Sequence, residues 1–293
     1  MRIFIITLHT IENEFDDCCR SINALNELPG VEIEHQVFHN LSKREAHDKI
    51  YETFMENSLK FDLFMKIDAD MVIEDNGIIP MVIRKFQDDE DLDWVTVPVF
   101  DYFVMRELGG VNIYRNTVKW EKNVGHFFTD RSHLDHSIRK REILPTEGKL
   151  YLSHCRNPSD FQSFHFGFHR MAKALQKGQP EVILRKRNWN AIIMALDLFK
   201  REGASRYGWA VLGADVALTK SYSADAVSYT EKWLEHQFDG LCKDVVSQEK
   251  FRRRVTTSVF SRIPKFPRGF EYYLIFYYFR VLGGGRAKDS QAN

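Results

Sequence analysis

Two aspartates, Asp68 and Asp70, stand one residue apart at the end of an apolar run that begins at Phe61. Residues two apart in an extended chain point to the same side, so both carboxylates can share a hard divalent cation, or hold a cation and a ribose together. Two carboxylates at the end of a buried strand repel each other and lose hydration unless a cation or a donor neutralises them. The position therefore favours a metal or nucleotide site.

The same spacing recurs within the acidic run of residues 88–93. A solvated acidic turn is the better interpretation there. The Asp-x-Asp spacing alone is thus weak evidence, and the preceding apolar strand is what distinguishes Asp68 and Asp70.

A second polar group extends from His154 to Arg170. His165 and His169 are four residues apart, so their imidazoles share one face of a helix, and they would also share one face of a strand, with Arg170 nearby. The alternative, histidines packed among aromatic residues in a core, stays open. Gly167 would permit a ligand to approach the backbone closely.

Cys155 follows His154 directly, which raises the possibility of a thiol nucleophile. No orienting partner or oxyanion site stands at a readable spacing, so a buried structural cysteine is favoured. The chain has four cysteines, which form neither a disulfide framework nor a zinc motif with a two-residue gap: Cys18, Cys19, Cys155 and Cys242. This pattern predicts a reducing compartment.

The elements that must position these residues alternate between strand and helix over residues 3–100. The predicted strands are 3–8, 31–37, 61–67 and 94–100. The predicted helices are 15–28, 42–59 and 77–87, and Ser42 with Glu45 would cap the second of them. Such alternation predicts a parallel sheet, in which ligands bind outside the carboxyl ends of the strands. Function is expected at residues 7–13, at 68–74 and just after 100.

Beyond residue 100 the hydrophobic periodicity changes character. It weakens over 101–180, which predicts loops packed over a site, and it returns as helices at 181–202 and 207–219. Small residues in the last helix, among them Gly208 and Gly213, are available for close helix contacts. The chain is expected to contain a helical C-terminal part.

Composition limits the class of partner. The 293 residues are 44% hydrophobic and 28% charged, with 41 Lys+Arg against 41 Asp+Glu, which is typical of a soluble globular protein and gives no footprint for nucleic acid. No stretch is apolar enough to span a membrane, and the N-terminal run is interpreted as a buried strand rather than an export signal. A cytoplasmic location is expected.

The balanced charge hides a basic C-terminal segment, residues 251–293, with nine basic and two acidic residues and many Tyr and Phe. Aromatic and basic residues together favour peripheral contact with an anionic membrane through residues 251–288. A helix that buries the same aromatic residues against the domain is the open alternative.

With these features the chain resembles the GT-A fold glycosyltransferases, of the family 2-like kind. The resemblance covers roughly residues 1–105, and the apolar strand with residues 66–71 is its most specific part. It implies an α/β protein with a Rossmann-like, mostly parallel sheet flanked by helices. It also implies a nucleotide-sugar-binding half at 1–105, an acceptor-binding and helical half of the same domain at 106–250, and the separate segment 251–293.

The resemblance implies roles for individual residues. Thr7 and His9 would border the base and ribose, Lys66 would belong to the donor site, Asp68 would contact the ribose or metal, and Asp70 would coordinate Mn²⁺ or Mg²⁺ on the donor diphosphate. A third metal ligand would come from His165 or His169, and Arg170 would neutralise the departing diphosphate. If the enzyme inverts, its base is Asp215, with Asp101 and Asp160 as rivals.

The implied activity is metal-dependent, hexosyltransferase-type transfer (EC 2.4) from a nucleotide sugar to a glycan or glycolipid. A membrane-attached enzyme would act on a lipid-linked saccharide, of the lipopolysaccharide or capsule type, on the cytoplasmic face of an inner membrane. The first alternative is a sugar nucleotidyltransferase, although residues 8–12 lack its glycine-rich basic loop. The second alternative is a catalytically silent membrane-associated scaffold. A P-loop enzyme is excluded, because its glycine-Lys-Ser/Thr signature is absent, and no dinucleotide-binding fingerprint follows the first strand.

Overall fold

The computed structural model describes residues 1–122, 133–134, 137–175, 182–222, 226, 228–229 and 231–262. The chain divides into two compact units, Met1–Pro158 and Ser159–Asn293. The boundaries predicted at residues 105 and 250 separate a donor-binding part, an acceptor-binding part and a C-terminal segment. This functional division stays a prediction.

The first unit combines strands with three helices. Its elements in chain order are β1 (Arg2–His9), α1 (Phe15–Asn23), β2 (Glu32–His39), α2 (Lys43–Glu56), β3 (Leu63–Asp68), β4 (Met71–Ile73), α3 (Ile78–Asp88), β5 (Leu92–Asp101), β6 (Arg106–Arg115), β7 (Glu121–Lys122), β8 (His133–Leu134), β9 (Lys140–Ile143) and β10 (Leu152–His154). The seven elements predicted between residues 3 and 100 are all present. The predicted cap of α2 is confirmed, since Ser42 Oγ accepts the Glu45 N–H and the Glu45 carboxylate accepts the Ser42 N–H.

The α/β class is therefore correct, but the main sheet is mixed, whereas a mostly parallel one was predicted. Its order is β2-β1-β3-β6-β5-β10-β4, and β9 pairs with β5. Strand β1 pairs in parallel with β2 and β3, and β5 pairs in parallel with β9 and β10. Strand β6 is antiparallel to both of its neighbours, β3 and β5, and β4 is antiparallel to β10.

The sheet is mixed because β6 turns back from β5 and inserts between β5 and β3. Strand β5 contains Pro98, which has no N–H to donate, and its register shifts between Val97 and Val99 at that point. Gly110 of β6 faces this irregularity, where a Cβ would lie 2.4 Å from the Val97 carbonyl oxygen. These breaks in the pattern explain why residues 106–115 were predicted, wrongly, as loop.

The core of the first unit lies on both sides of the sheet, because successive strand residues point to opposite faces. Ile3 and Ile5 of β1 pack in a cluster with buried residues of α1 and α3, while Phe4 and Ile6 pack in another with residues of α2. Burial on both faces makes β1 a continuous apolar run, as in a central strand.

The second unit is helical in its described part. It contains α4 (Asp160–Leu175), α5 (Val182–Glu202), α6 (Ser205–Thr219), α7 (Lys232–Asp244) and α8 (Gln248–Thr256), followed by a 3₁₀ turn at Val259–Arg262. The predicted helices α5 and α6 are confirmed, while α4 lies where loops were expected. Gly167 and Gly213 let the α4 and α6 backbones touch, since a Cβ at either would come within 2 Å of a carbonyl oxygen of the facing helix.

Within the described residues, no helix is long and apolar enough to cross a membrane. Residues 263–293, which make up most of the basic aromatic segment, lie outside the described part of the chain.

Candidate functional site

Four strands of the first unit end at one edge of the sheet. Strands β1, β3, β5 and β10 run in the same direction, and they end at His9, Asp68, Asp101 and His154. His154 is paired with Asp101 across β10 and β5. Polar residues distant in sequence therefore meet at the carboxyl edge, where ligands of α/β sheets bind.

Asp70 lies in the turn between β3 and β4, against the end of β10. Its Oδ2 is 3.2 Å from His154 Nε2 and accepts from the Cys155 thiol at 3.3 Å. Its backbone carbonyl accepts the Cys155 N–H at 2.9 Å. Its Oδ1 is buried and has no hydrogen-bond partner within the described residues. An unpaired buried carboxylate oxygen is costly, so a donor or a cation is needed at this point.

Asp101 holds His154 in place from behind. Its fully buried carboxylate accepts the backbone N–H groups of Phe103 and Val104 through Oδ1, at 2.8 and 3.1 Å, and meets His154 Nδ1 through Oδ2 at 2.9 Å. This contact turns Nε2 of His154 toward Asp70 and Cys155.

Burial and charge oppose each other in this group. Burial alone lowers the pKa of His154, but Cys155, Asp70 and Asp101 together raise it well above its ordinary value. Burial alone raises the pKa of Asp70, and the charge and hydrogen bond of His154 outweigh it and lower that pKa to about 2. Without a metal, the two carboxylates therefore favour the protonated form of His154.

Asp68, the other aspartate of the pair, has a different neighbour. Lys66 Nζ lies 2.6 Å from Asp68 Oδ1, so the carboxylate is already paired with a cation. The Asp68 side chain is 39% exposed, against 18% for Asp70. The two aspartates are thus available to different groups, since Asp68 is open to an approaching hydroxyl while Asp70 faces an imidazole and a thiol.

The loop after β1 contributes Glu12. Its Oε2 accepts the N–H groups of Thr10 and Ile11 at 2.7 and 3.0 Å. Burial first, and then the negative charge of Asp70, raise the pKa of Glu12 from 4.5 to about 7. This carboxyl exchanges its proton near neutral pH, which the sequence did not reveal.

The predicted residues of β1 also lie at this end of the strand. Thr7 is fully buried, and its Oγ1 is 2.9 Å from His35 Nε2. His9 stacks on Phe15, with ring centroids 3.8 Å apart, and its Nδ1 is 3.1 Å from Nδ1 of His39. A flat, partly exposed aromatic pair suits the face of a base.

An open cavity of about 640 Å³ lies on the first unit, and its lining combines basic Arg20 and Arg156 with acidic Glu14 and Asp17. Arg156 follows Cys155 in the chain, and it pairs with Glu74 at 2.9 Å. Arg20 pairs with Asp17. Two guanidinium groups thus line this cavity, and one of them, Arg156, lies two residues after His154.

The remaining predicted residues belong to the second unit. His165 is buried and stacks on Tyr229 at 3.7 Å, and its ring centroid is 5.9 Å from that of His169. Arg170 donates to Asn188 Oδ1 at 3.3 Å and lies over the Phe166 ring. The helical spacing predicted for the two histidines is therefore present in α4. Their metal role, and the diphosphate role of Arg170, stay predictions.

The predicted bases differ in exposure. Asp215 is buried in α6, where its Oδ1 accepts the Val259 N–H at 2.9 Å and its Oδ2 is 3.7 Å from Arg254. Asp160 is exposed in the first turn of α4, where the helix dipole favours a negative charge. Asp101 is buried, and its Oδ2 already contacts His154 Nδ1. Gly167 packs against the α6 backbone, and this contact alone explains why a residue without a side chain is needed there.

The contact between Asp70, His154 and Cys155 was missed because β10 was not recognised. The residues paired with β5 and β4 are only Leu152, Ser153 and His154. A short run of strand-forming residues before Cys155 was the available signal, but a three-residue strand has no periodicity to detect. The orienting partner of His154, Asp101, lies 53 positions away in the chain.

The first unit is thus an α/β unit with a mixed sheet and a polar cluster at the carboxyl edge. No protein-family model matches the chain, and no curated protein matches it. Among solved structures it is similar to A197 from STIV, with 14% identity over 39% of this chain and 65% of that one, at a TM-score of 0.30.

It is similar to a glycosyltransferase involved in the glycosylation of the major capsid of PBCV-1, with 11% identity over 54% of this chain and 95% of that one, at a TM-score of 0.35. It is also similar to S. aureus TarS, with 10% identity over 86% of this chain and 54% of that one, at a TM-score of 0.34. These TM-scores are too low to show a shared fold.

Proposed function

We propose that the chain is a glycosyltransferase that moves a sugar from a nucleotide donor to a glycan or glycolipid hydroxyl. The observation that carries the proposal is the edge where β1, β3, β5 and β10 end. Asp68 is the last residue of β3, Asp70 follows two positions on, and one buried Asp70 oxygen is unpaired within the described part of the chain. A ligand that brings a cation or a donor to Asp70 would remove that cost.

The donor would lie along this edge. Asp68, exposed and next to Lys66, would accept a ribose hydroxyl, while Lys66 would remain close to the negative charge of the donor. The base would border the stacked ring of His9, while Thr7, fully buried, would support this end of β1 through His35. Arg20 and Arg156 in the open cavity would bind the diphosphate by exchanging their present partners, Asp17 and Glu74, for phosphate oxygens, which guanidinium groups bind through two parallel hydrogen bonds.

A divalent cation fits Asp70 better than it fits the pair. Asp70 Oδ1 is buried and unpaired within the described residues, and Asp70 Oδ2 lies beside an imidazole and a thiol that can also bind a metal, whereas Asp68 meets a cation, Lys66 Nζ, at 2.6 Å. A bound cation would stabilise negative charge on the departing diphosphate. In this proposal Asp70 holds the cation, and Asp68 and Lys66 orient the donor.

The acceptor would be recognised outside the donor edge. Asp215 remains the first candidate base for an inverting reaction although it is buried in α6, and Asp160, exposed at the start of α4, remains a rival. A lipid-linked or capsule-type saccharide is the proposed acceptor, because the basic aromatic segment 251–288 favours an anionic membrane surface.

Nucleotide binding tests the proposal. We expect one of UDP, GDP, CMP or TDP to raise the melting temperature of the full chain when Mn²⁺, Mg²⁺ or Zn²⁺ is present. A ligand at one hundred times its Kd stabilises the folded state by about 2.7 kcal/mol. Asp70→Asn should abolish the metal-dependent part of the shift, because it removes the carboxylate charge with little change in shape.

The matched control is Asp91→Asn, in the exposed acidic run, which should keep the whole shift. If every nucleotide fails with every metal, the scaffold alternative replaces the enzyme. If a shift survives in Asp70→Asn, nucleotide binding stands without this cation site. Formation of a diphosphate bond from a nucleoside triphosphate and a sugar phosphate would instead support the nucleotidyltransferase.

A further inference from the structure

Three side chains at the end of β10 and after β3 form a compact group of possible metal ligands. Asp70 Oδ2, His154 Nε2 and Cys155 Sγ are separated by 3.2, 3.3 and 3.3 Å. They are the one such group of three or more His, Cys, Asp or Glu ligands found among the described residues. One oxygen, one nitrogen and one sulfur thus lie within 3.3 Å of one another.

We propose that Asp70, His154 and Cys155 form a binding site for a thiophilic divalent cation, of which Zn²⁺ is the representative. The inference rests on the proposed function for the role of the cation in the reaction. The ligand set itself rests on the three side chains alone.

The distances suit a tetrahedral site. With zinc bond lengths of about 2.0–2.3 Å to oxygen, nitrogen and sulfur, neighbouring ligands of a tetrahedron are about 3.3–3.6 Å apart. The triangle in the structure is within a few tenths of an ångström of that spacing. Three protein ligands leave a fourth position for water or a phosphate oxygen, as catalytic zinc sites do.

The donor atoms select among cations. Mg²⁺ prefers six oxygen ligands, and a thiolate is a poor partner for it. Cysteine and histidine together favour Zn²⁺ and related borderline cations such as Co²⁺. The proposed cation therefore differs from the Mn²⁺ or Mg²⁺ that a pair of aspartates would suit.

The surroundings prepare His154 for this role. Asp101 meets Nδ1 at 2.9 Å and is itself held by two backbone N–H groups, so Nε2 is directed at the other two ligands. A carboxylate behind a histidine ligand is a usual feature of zinc sites and strengthens binding. Cys155 adopts a φ of 54°, uncommon for a residue other than glycine, and it carries its thiol beside Asp70.

The site is accessible from outside. The side chains of Asp70 and His154 are 18% and 14% exposed, so a fourth ligand can reach a cation held between them. Cys155 is 4% exposed, so it is the most buried of the three ligands. A ligand entering from the carboxyl edge of the sheet would therefore complete the coordination.

Metal binding to the full chain, without a polyhistidine tag, tests the proposal. After chelation and dialysis against Zn²⁺, Co²⁺ or Mg²⁺, we expect about one equivalent of Zn²⁺ or Co²⁺ to be retained and Mg²⁺ to be lost. The Co²⁺ form should show a thiolate-to-cobalt charge-transfer absorption. Cys155→Ser should remove this absorption and lower Zn²⁺ affinity by at least about tenfold.

The matched control is Cys242→Ser, since Cys242 is a half-buried thiol of α7 in the second unit. It should leave the absorption unchanged. A cobalt spectrum without the thiolate band would place the cation elsewhere, for example at His9 and His39, and would overturn the proposal. So would thiolate absorption that survives in Cys155→Ser.

Asp101→Asn provides a second variant, because Asp101 is a positioning residue. It should keep the thiolate band but weaken Zn²⁺ binding by about 10- to 100-fold, while circular dichroism confirms folding. Equal affinity for Mg²⁺, or a folded protein that retains no metal, contradicts the site. Nucleotide binding is measured separately, so a protein that binds zinc without nucleotide refutes only the proposed function, and the reverse result refutes only the zinc site.

Discussion

At the scale of single residues, the site is a group of charges that must neutralise one another. His154 lies between the carboxylates of Asp70 and Asp101, and Lys66 pairs with Asp68. Within each ion pair, the opposite charges lower the free-energy cost of burying both groups. Among the described residues no cation pairs with Glu12, and burial and Asp70 raise its pKa to about 7.

Glu12 is expected to make stability depend on pH in the metal-free protein. Its folded pKa of about 7 exceeds its ordinary value of 4.5, so its contribution is fully present below 4.5 and is lost as pH rises through 7. The loss reaches at most about 3 kcal/mol. Glu12→Gln should remove this dependence, which denaturant unfolding in chelator at several pH values can measure.

The control for this prediction is Glu34→Gln, on the exposed side of β2. It should leave the slope of stability against pH unchanged. A Glu12→Gln protein that loses stability between about pH 5 and pH 8 as steeply as the parent would show that Glu12 is not the group that titrates.

At the scale of elements, glycine decides how closely α4 and α6 pack. A Cβ at Gly167 would lie 1.7 Å from the Ala210 carbonyl oxygen, and one at Gly213 would lie 1.8 Å from that of Phe164. Both obstacles are backbone atoms, so neither can move by a simple side-chain rotation. The two helices would have to separate.

Gly167→Ala is therefore expected to destabilise the protein by about 1–3 kcal/mol or more, through overpacking. Gly240→Ala is the matched control, because it lies in α7 with no atom within 4 Å of the added Cβ. It should stabilise by about 0.5–1 kcal/mol through helix propensity. Thermal unfolding of both variants measures the difference, and equal melting temperatures would contradict the close contact.

At the scale of the whole molecule, charge is distributed unevenly although the total is zero. Residues 251–293 have nine basic and two acidic side chains, which leaves the rest of the chain acidic. Residues beyond 262 contribute five of the basic residues and both of the acidic ones. Basic residues near an anionic bilayer are each worth about 1 kcal/mol.

We expect the full chain to sediment with vesicles containing anionic lipid and to bind neutral vesicles much more weakly. A chain that ends at Arg262 should lose about 3 kcal/mol of this binding, from a net three charges. Added salt should weaken the binding of the full chain. Equal sedimentation of both chains, or equal binding to neutral vesicles, would instead favour a segment that packs on the protein.

The sequence by itself determined the alternating elements of residues 3–100 and the aspartate pair at the end of β3. Apolar periodicity predicted β1, α1, β2, α2, β3, α3 and β5, and Ser42 with Glu45 predicted the start of α2. These features depend on neighbours within a few positions, so they can be read along the chain. Asp68 and Asp70 were identified in the same way, from the apolar strand before them.

Only the tertiary structure decided which distant residues meet. The insertion of β6 between β3 and β5 made the sheet mixed, and β10 carried His154 and Cys155 to Asp70, 84 and 85 positions away. Such pairings depend on strand order and register, which are set by burial of whole faces rather than by local pattern. The sequence predicted Asp70 as a ligand but neither His154 nor Cys155, and the fold brought an oxygen, a nitrogen and a sulfur together at one edge of the sheet.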